Sequence, residues 1–449
     1  MVDSYCRGEP LGKHDHAARM TSGATSAILI VMLNWLIIGG GVHGCTIAHS
    51  LLTYARAPRA GLRVVDPHAE PLDEWHRTTH SCGMRFLRSP AAHAIVPDFT
   101  ALLGWAKQNG FERDSHTIPP YARPSLELFN AHAHSMIERS GLRELWHQAT
   151  AVRVGRREGD GSRRVTLEDG SSLRARNIVL ALGRAGGLNL PEWAPGASGQ
   201  VVHVFAPTFD RAEAERARHP VVIGGGVTGV HLALHLADRG RRVRLIVRAP
   251  IRVKQFDSDP CFIGPACMKG YLAIDDPNER RRVLATVRNP GSVPSELAEQ
   301  LDAAVAGGSI ELVIDEIEST RPIEDKRVVL HGNRDAYESD FVAPATGYAR
   351  NPPGGAIRES LADGSATGSP LPEDAEGYAL PRSSLEWADG LYVTGSFAEQ
   401  ELGPAAPNII GAHLASKRIV AHLSGRVRLV PSAWRRYAPA SVSSSSTSF

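Results

Sequence analysis

The stretch that decides the fold is Leu33-Asn-Trp-Leu-Ile-Ile38, followed directly by Gly39-Gly-Gly41-Val-His-Gly44. Its first residues are mostly apolar and β-prone, and the apolar residues after Gly44 have the spacing of a helix. A strand, a Gly-x-Gly-x-x-Gly turn and a helix in this order form a dinucleotide-binding unit. The first glycine allows the tight turn, the second lets the backbone approach a pyrophosphate, and the third lets the helix pack on the strand. We call Gly39–Gly44 the first fingerprint.

A second apolar strand strengthens this prediction. Leu62-Arg-Val-Val-Asp66 ends in an acid about 20 residues beyond Gly44. An acid at that position accepts hydrogen bonds from the ribose of an adenosine. The sequence therefore predicts an FAD site that contains Gly39, Gly41, Gly44 and Asp66.

The same pattern recurs later in the chain. Pro220-Val-Val-Ile223 leads into Gly224-Gly-Gly226-Val-Thr228-Gly229, the second fingerprint, and the strand after it ends in Arg248. A guanidinium at that strand end can hold a ribose 2′-phosphate, which an acid would repel. We therefore predict NADPH at this unit, and the residues predicted to bind it are Gly224, Gly226, Thr228, Gly229 and Arg248.

The sequence near the C-terminal end predicts a helix that faces the flavin. Gly390-Leu-Tyr-Val-Thr-Gly395 is a strand that leads to a turn, and the apolar spacing from about 408 to 423 is helical. The N-terminus of a helix carries partial positive charge, which suits the N1 and C2=O edge of a reduced, anionic flavin. Gly395, Asn408 and Ile409 are therefore predicted to contact the cofactor.

Composition argues against several classes of protein. The chain has 449 residues, and its 50 Lys and Arg against 48 Asp and Glu leave a net charge of +2, which gives no case for nucleic-acid binding. The longest apolar stretch, Ala27–Ile38, is shorter than the about 20 residues that span a membrane. The five cysteines include no Cys-x-x-Cys pair, so we predict reduced thiols in a cytoplasmic protein. No ligand set has the spacing of a metal site, so none is predicted.

This layout resembles the two-dinucleotide-binding-domain flavoproteins over about residues 33 to 425. The resemblance implies an α/β fold of two Rossmann-like, three-layer domains, with the NADPH domain inserted into a split FAD domain. Asn177–Gly183 and Phe341–Tyr348 are similar to the strand ends at which such chains cross between domains, which implies cofactor contacts at Gly183, Thr346 and Gly347. The implied bounds are 1–32 for a loose extension, 33–205 and 335–436 for the FAD domain, 206–334 for the NADPH domain and 437–449 for a disordered tail.

Within this superfamily the chain resembles the microbial N-hydroxylating monooxygenases, which oxidise the side-chain amine of ornithine or lysine. Cys82-Gly-Met84-Arg85-Phe86-Leu-Arg88 is similar to their Met-Gln-x-x-Phe-Leu stretch, and Arg123–Phe129 is similar to their Arg-x-Glu-Phe helix. The resemblance implies that Met84 and Phe86 lie against the isoalloxazine, and that Arg85 holds NADP+ or a peroxide. Gly199-Gln-Val-Val-His203 resembles the Gly-x-x-x-His of related Baeyer–Villiger and flavin-containing monooxygenases, which implies a catalytic role for His203.

Two positions depart from the family pattern. Ser396 replaces the acid of the usual Gly-Asp turn, where the ribityl chain is contacted. Ile263 and Gly264 follow Asp257–Phe262, where the N-hydroxylases carry a substrate-holding Asn. The resemblance therefore leaves the substrate open. Residues 261–294 around this point are interpreted as a substrate lid or as a surface excursion.

The function that the resemblance implies is that of an FAD monooxygenase that uses NADPH and O2. It would hydroxylate a small amine or another soft nucleophile through a C4a-hydroperoxyflavin, and its relatives assemble as homo-oligomers. The alternative is an oxidoreductase that passes electrons from NAD(P)H to a carrier or quinone without inserting oxygen. A flavoprotein that serves as a binding or regulatory module explains the second nucleotide site poorly. A dithiol reductase is disfavoured because Cys45 and Cys82 lack a partner at the required spacing.

Overall fold

Two sheets, each built around parallel strands that include the strand before one fingerprint, form the frame of the molecule, and the first sheet also has antiparallel strands at its margins. A computed structural model describes residues 32–183, 187–194, 200–362, 364 and 370–424. The extension predicted over 1–32 lies outside these residues except for Met32, which begins the first strand. The tail predicted over 437–449 lies outside them entirely.

The first sheet is ordered so that the first fingerprint and Asp66 share one edge. The register places Ile38 opposite both Val65 and Leu180 in parallel pairs, so the strands on either side of Ile38 end at that same edge. Leu36 and Ile37 are fully buried, which agrees with the continuous apolar run of a central parallel strand. The strand order is Glu386–Ala388, Leu391–Val393, Ser172–Leu180, Met32–Ile38, Leu62–Asp66 and Trp146–Gln148, and the hairpin Ala151–Arg157 with Arg163–Leu167 joins Ser172–Leu180.

The second sheet has the same plan around the second fingerprint. Its parallel strands are, in order, Ile310–Ile314, Val243–Val247, Pro220–Ile223 and Phe341–Pro344. The predicted bounds assign Phe341–Pro344 to the second part of the FAD domain, yet this strand is hydrogen-bonded to Pro220–Ile223. Both sheets belong to one compact unit that begins at Met32, so the division into two domains stays a prediction.

Helices cover the sheets, and the remaining strands form small ribbons. The helices are Val42–Thr53, Asp73–Ser81, Ala101–Gln108, Arg113–His116, Leu126–Ser140, Arg211–Arg216, Val227–Asp238, Pro265–Leu272, Pro277–Val287, Ser295–Ala306, Gly355–Ala362, Glu399–Leu402 and Ile409–Ser424. The ribbons are Thr117–Ile118 with Arg123–Pro124, Arg252–Val253 with Ser292–Val293, and Ile317–Ile323 with Arg327–Gly332 and Ala336–Ser339. The α/β fold class is confirmed. Among the described residues, no helix has both the length and the apolar character needed to cross a bilayer.

The prediction that all cysteines are reduced is wrong for one pair. Cys261 and Cys267 form a disulfide, with Cα atoms 5.3 Å apart. A short 3-10 turn, Pro260–Ile263, runs into the helix Pro265–Leu272 and folds the two cysteines together, which a search for Cys-x-x-Cys misses. Cys45 and Cys82 are free and buried.

Several histidines lie buried or half-buried around the core of the first sheet, and they make stability depend on pH. Burial lowers the pKa of His49, His132 and His413 to about 4 and that of His93 to about 3. The unfolded chain takes up these protons near pH 6.5, whereas the folded chain resists them to about pH 4. Stability is therefore complete above pH 6.5 and is lost as the pH falls from 6.5 towards 4.

We predict that the melting temperature falls by at least about 5 °C between pH 7 and pH 5. His132→Phe should reduce this slope, because the buried Nδ1 atom of His132 has no hydrogen-bond partner among the residues that the structure describes, and the phenyl ring cannot take up a proton. The control is His134→Gln, since the His134 side chain on the same helix is 65% exposed. A melting temperature that stays constant over this range, measured by circular dichroism, would contradict the prediction.

Candidate nucleotide-binding site

The first fingerprint has the three glycine geometries that its pattern predicts. Gly39 has a φ of +105°, which favours glycine. A Cβ on Gly44 would lie 1.8 Å from the Gly39 carbonyl oxygen, so only glycine lets the helix approach the strand this closely. A Cβ on Gly41 would meet nothing within 4 Å. The open space at Gly41, at the N-terminus of the helix Val42–Thr53, is where a pyrophosphate would fit.

Asp66 fixes the loop that follows its own strand. Its Oδ2 accepts a hydrogen bond from the Gly40 amide at 2.6 Å, and its Oδ1 accepts one from the His68 amide at 2.9 Å. The His68 ring also lies 2.7 Å from Oδ1 through Nδ1. A carboxylate has about four acceptor positions, so Asp66 retains little capacity for ribose hydroxyls unless the His68 ring turns away.

Trp146 covers the middle of the first fingerprint and was not predicted as a site residue. A Cβ on Gly40 would lie 1.8 Å from the Trp146 ring, so the indole packs directly on this glycine. The Trp146 Nε1 donates to the His68 carbonyl at 3.0 Å. The strand that begins at Trp146 is paired with Leu62–Asp66, which places the indole beside the expected adenosine end of the site.

His43 is a second residue that sequence reasoning missed. Its Nδ1 lies 2.8 Å from the Thr394 hydroxyl, and its Nε2 lies 3.0 Å from the Asn408 carbonyl. Burial lowers the pKa of His43 to about 4, so the ring is neutral at pH 7, with Nε2 donating to Asn408 and Nδ1 accepting from Thr394. The predicted contacts Gly395, Asn408 and Ile409 are thereby tied to the first fingerprint.

The second fingerprint repeats the first. Gly224 has a φ of +124°, and a Cβ on Gly229 would lie 2.0 Å from the Gly224 carbonyl oxygen. Gly226 faces another backbone, since its Cβ would lie 3.4 Å from the Cα of Gly291. Thr228 is the second residue of the helix Val227–Asp238. Arg248 is exposed at the end of the neighbouring strand, and Arg252 and Lys254 are exposed after it.

The two predicted crossing points lie beside the fingerprints. The first glycine of each fingerprint packs on the strand end that leads to a crossing, because Cβ atoms on Gly39 and Gly224 would meet the carbonyls of Ala181 and Ala345. The crossing residues Gly183 and Gly347 have φ values of +62° and +80°, and each has open space where a side chain would be. The Thr346 hydroxyl donates to the Asn189 carbonyl.

His203 is buried next to the second crossing. It is 3% exposed, and its Nδ1 accepts a hydrogen bond from the Phe205 amide at 3.1 Å. Burial lowers its pKa to about 4, so the ring is neutral and Nε2 carries the proton. That Nε2 has no hydrogen-bond partner with ordinary geometry among the described residues. The catalytic role of His203 stays a prediction.

The Met84–Arg88 stretch lies between the two sheets. Met84 packs against the cores of both, and Phe86 forms a backbone bridge with Ser125. Arg88 donates to the Lys254 carbonyl at 2.7 Å, the Gln255 carbonyl at 2.9 Å and the Ser292 hydroxyl at 2.9 Å. Arg88, for which no role was predicted, thus ties this stretch to residues that follow the second fingerprint.

Arg85 lies at the C-terminal end of the helix that starts at the second fingerprint. Its side chain is 72% exposed and lies 3.7 Å from Asp238, the last residue of the helix that starts at the second fingerprint. That helix is roughly 17 Å long, so its last residue, Asp238, lies about that far from the second fingerprint. Met84 and Arg85 line a cavity of about 870 Å³ together with His235 and Arg211. Contact of Arg85 with NADP+ or a peroxide stays a prediction.

No cluster of three or more His, Cys, Asp or Glu side chains that could hold a metal ion is found in the described part of the chain.

The glycine geometry of the first fingerprint leads to a test of FAD binding. Gly41→Ala should leave folding intact, because Gly41 has a φ of −74° and open space for a methyl group, but should weaken FAD binding at least about tenfold by crowding the pyrophosphate. Gly44→Ala should prevent folding through the clash with the Gly39 carbonyl. The two readouts are the melting temperature and the quenching of FAD fluorescence.

Gly104→Ala is the matched control, because this helical glycine also has open space and lies on the helix Ala101–Gln108. It should raise stability slightly, by about 1 kcal/mol at most, and leave FAD binding unchanged. Unchanged FAD affinity in Gly41→Ala would contradict the placement of the pyrophosphate.

Two family models match the chain, one at each fingerprint. Residues 36–185 match the family described as FAD-NAD(P)-binding, and residues 219–261 match the family described as pyridine nucleotide-disulphide oxidoreductase. A comparison with the curated proteins gives no match. The family matches confirm the predicted cofactor classes, FAD and a nicotinamide nucleotide, and the predicted class of enzyme, an oxidoreductase.

Solved structures with the same fold cover 88% of this chain. A cadaverine monooxygenase from Erwinia amylovora, solved with FAD, has a TM-score of 0.69 at 17% identity over 95% of its length. An ornithine N-hydroxylase from Kutzneria sp. 744, solved with reduced FAD, NADP+ and L-ornithine, has a TM-score of 0.67 at 18% identity over 100% of its length. A bacillithiol disulfide reductase from Bacillus cereus has a TM-score of 0.55 at 20% identity over 100% of its length. The chain therefore has the fold of the two-dinucleotide-binding-domain flavoproteins and is structurally similar to the N-hydroxylating monooxygenases.

Proposed function

We propose that this protein is an FAD-dependent monooxygenase that uses NADPH and O2 to hydroxylate a small amine or another soft nucleophile. The observation that carries the proposal is the pair of fingerprints, each of which has a first glycine at positive φ and a last glycine packed on the first. The Met84–Arg88 stretch connects the two, and His43 ties the first fingerprint to Asn408. The likeness in fold to the ornithine and cadaverine enzymes supports a monooxygenase over other members of the superfamily.

The residues of this chain supply binding, orientation and protection from water. When bound, FAD supplies the redox chemistry with NADPH and O2. The helix that begins at Val42 holds the pyrophosphate through its free amides, and Gly41 leaves room for it. His43 fixes the start of the helix Ile409–Ser424, whose free amides favour negative charge on the flavin. Arg248 holds the 2′-phosphate of NADPH, with Arg252 and Lys254 nearby.

An oxidoreductase that passes electrons onward without inserting oxygen is the second candidate. It is favoured by the likeness to the bacillithiol disulfide reductase and by the family match at residues 219–261. The Cys261–Cys267 disulfide adds a group that can accept two electrons. The TM-scores nevertheless favour the monooxygenases, at 0.69 and 0.67 against 0.55.

The substrate is a small molecule that is oxidised with O2 as the co-substrate, and the absence of the usual Asn at positions 263 and 264 leaves its class at the level of a soft nucleophile. We further propose that the protein forms a homo-oligomer and that it is located in the cytoplasm.

Rapid mixing of the NADPH-reduced protein with O2 should separate the two candidates. A monooxygenase delays the return of the oxidised flavin absorbance and couples it to hydroxylated product when an amine from a panel is present. The control is protein reduced with dithionite in the absence of NADPH and then mixed with O2 in the same way. Immediate reoxidation that yields only hydrogen peroxide with every amine would rule out the monooxygenase.

Arg248→Ala should raise the KM for NADPH at least about tenfold and leave the KM for NADH unchanged, because only NADPH carries the 2′-phosphate. Arg242→Ala is the control, since Arg242 is exposed just before the start of the same strand, Val243–Val247. Equal losses with both nucleotides would show that Arg248 is not the residue that discriminates between them.

A further inference from the structure

Glu399 is a buried acid that the predicted nucleotide contacts do not include. It starts the short helix Glu399–Leu402 and is only 3% exposed. One of its carboxylate oxygens lies 2.7 Å from Arg281, and the other lies 2.7 Å from Arg288. Its backbone carbonyl accepts a hydrogen bond from the Tyr271 hydroxyl at 3.0 Å. All three partners belong to residues 261–294, the segment interpreted from sequence as a lid or a surface excursion.

The contact with Arg281 belongs to a larger structural cluster. Arg281 also donates through Nε and Nη2 to Asp374 at 2.9 and 2.8 Å, and its guanidinium lies 3.8 Å from the centre of the Tyr378 ring. Gln400 donates to the same Asp374 oxygen at 2.8 Å. Buried charges that are paired on every side hold their segments in one arrangement. The contacts of Arg281 therefore anchor the segment 261–294 to the rest of the protein.

The contact with Arg288 instead connects Glu399 to the second fingerprint. Three residues beyond Arg288, Gly291 packs against Gly226, whose Cβ would lie 3.4 Å from the Gly291 Cα. The next residue, Ser292, accepts a hydrogen bond from Arg88 at 2.9 Å. A nucleotide bound at Gly226 would thus contact or displace the segment 288–291. Arg288, at the start of this segment, is paired with the Glu399 carboxylate.

The other end of the Glu399–Asn408 segment reaches the first fingerprint. The Asn408 side-chain amide lies 3.1 and 3.0 Å from the two carboxylate oxygens of Asp257. The Asn408 carbonyl accepts from His43 at 3.0 Å. The segment is therefore held at both ends by residues that follow the second fingerprint, and it ends where the helix Ile409–Ser424 would face FAD.

We propose that Glu399 is a positioning residue that couples the two nucleotide sites. NADP(H) at the second fingerprint fixes Arg288, Arg288 fixes Glu399, and Glu399 aligns Gly403–Asn408 against FAD, so the two nucleotides bind cooperatively. The inference rests on the proposed function, since it requires both nucleotides to bind. Linkage demands that NADP+ tightens FAD binding by the same factor by which FAD tightens NADP+ binding.

The test is the dissociation constant of FAD for the FAD-free protein, measured by flavin fluorescence with and without saturating NADP+. In the native chain NADP+ should tighten FAD binding about fivefold or more. In Glu399→Gln and in Arg288→Gln this factor should fall to about one, while both nucleotides still bind. Arg288→Gln keeps the pair between Glu399 and Arg281, so it remains informative where Glu399→Gln does not fold.

Glu401→Gln is the matched control. Glu401 lies on the same short helix and pairs with Arg418 at 3.1 Å and with Arg280 at 3.6 Å, but not with Arg288. It should keep the native coupling factor even where its melting temperature falls. A native factor of one, or an Arg288→Gln variant that keeps the native factor, overturns the inference alone. A chain that binds neither nucleotide overturns the proposed function and this inference with it.

Discussion

The close approach of two backbones at each fingerprint is the constraint on which the rest of the structure depends. Any side chain on Gly44 or Gly229 would clash with the carbonyl of the first glycine in its own fingerprint. Only glycine therefore brings the N-terminus of the following helix to the edge where the parallel strands end. The direction of the helix amides follows from this approach, and the parallel pairing of the neighbouring strand brings Asp66 to the same edge.

The parts of the fold that could be predicted from sequence are those encoded in contiguous residues. A strand, a glycine turn and a helix can be recognised within about 30 contiguous residues. The apolar runs also predict where the following strands end, at Asp66 and directly before Arg248. His43 could not be identified in this way, because its partners Thr394 and Asn408 are more than 300 residues away in the chain. The role of Arg88 could not be predicted either, because its contacts lie on residues that follow the second fingerprint.

The differences between expectation and structure have a common physical origin. The disulfide depends on a turn that folds Cys261 onto Cys267, and the spacing of cysteines in a chain does not report the path of the backbone between them. The strand Phe341–Pro344 joins the second sheet because pairing with Pro220–Ile223 satisfies its backbone before the chain crosses back. Arg85 lies beside Asp238 since the Met84–Arg88 stretch is fixed by Arg88 and by Phe86.

The buried ions of the 261–294 segment bear on the chemistry that this frame can support. Buried ion pairs contribute less to stability than apolar packing of the same volume, so their value here lies in a fixed geometry. Glu399 begins the segment that runs into the helix Ile409–Ser424, and its pair with Arg281 fixes the start of that segment. In the proposed monooxygenase, a reduced flavin at this helix would have to be kept from water for oxygen to reach a substrate. A reductase has less need of such a barrier, because its electrons leave the flavin directly. The attachment of this segment by buried ion pairs would therefore serve the proposed oxygen insertion more than it would serve simple electron transfer.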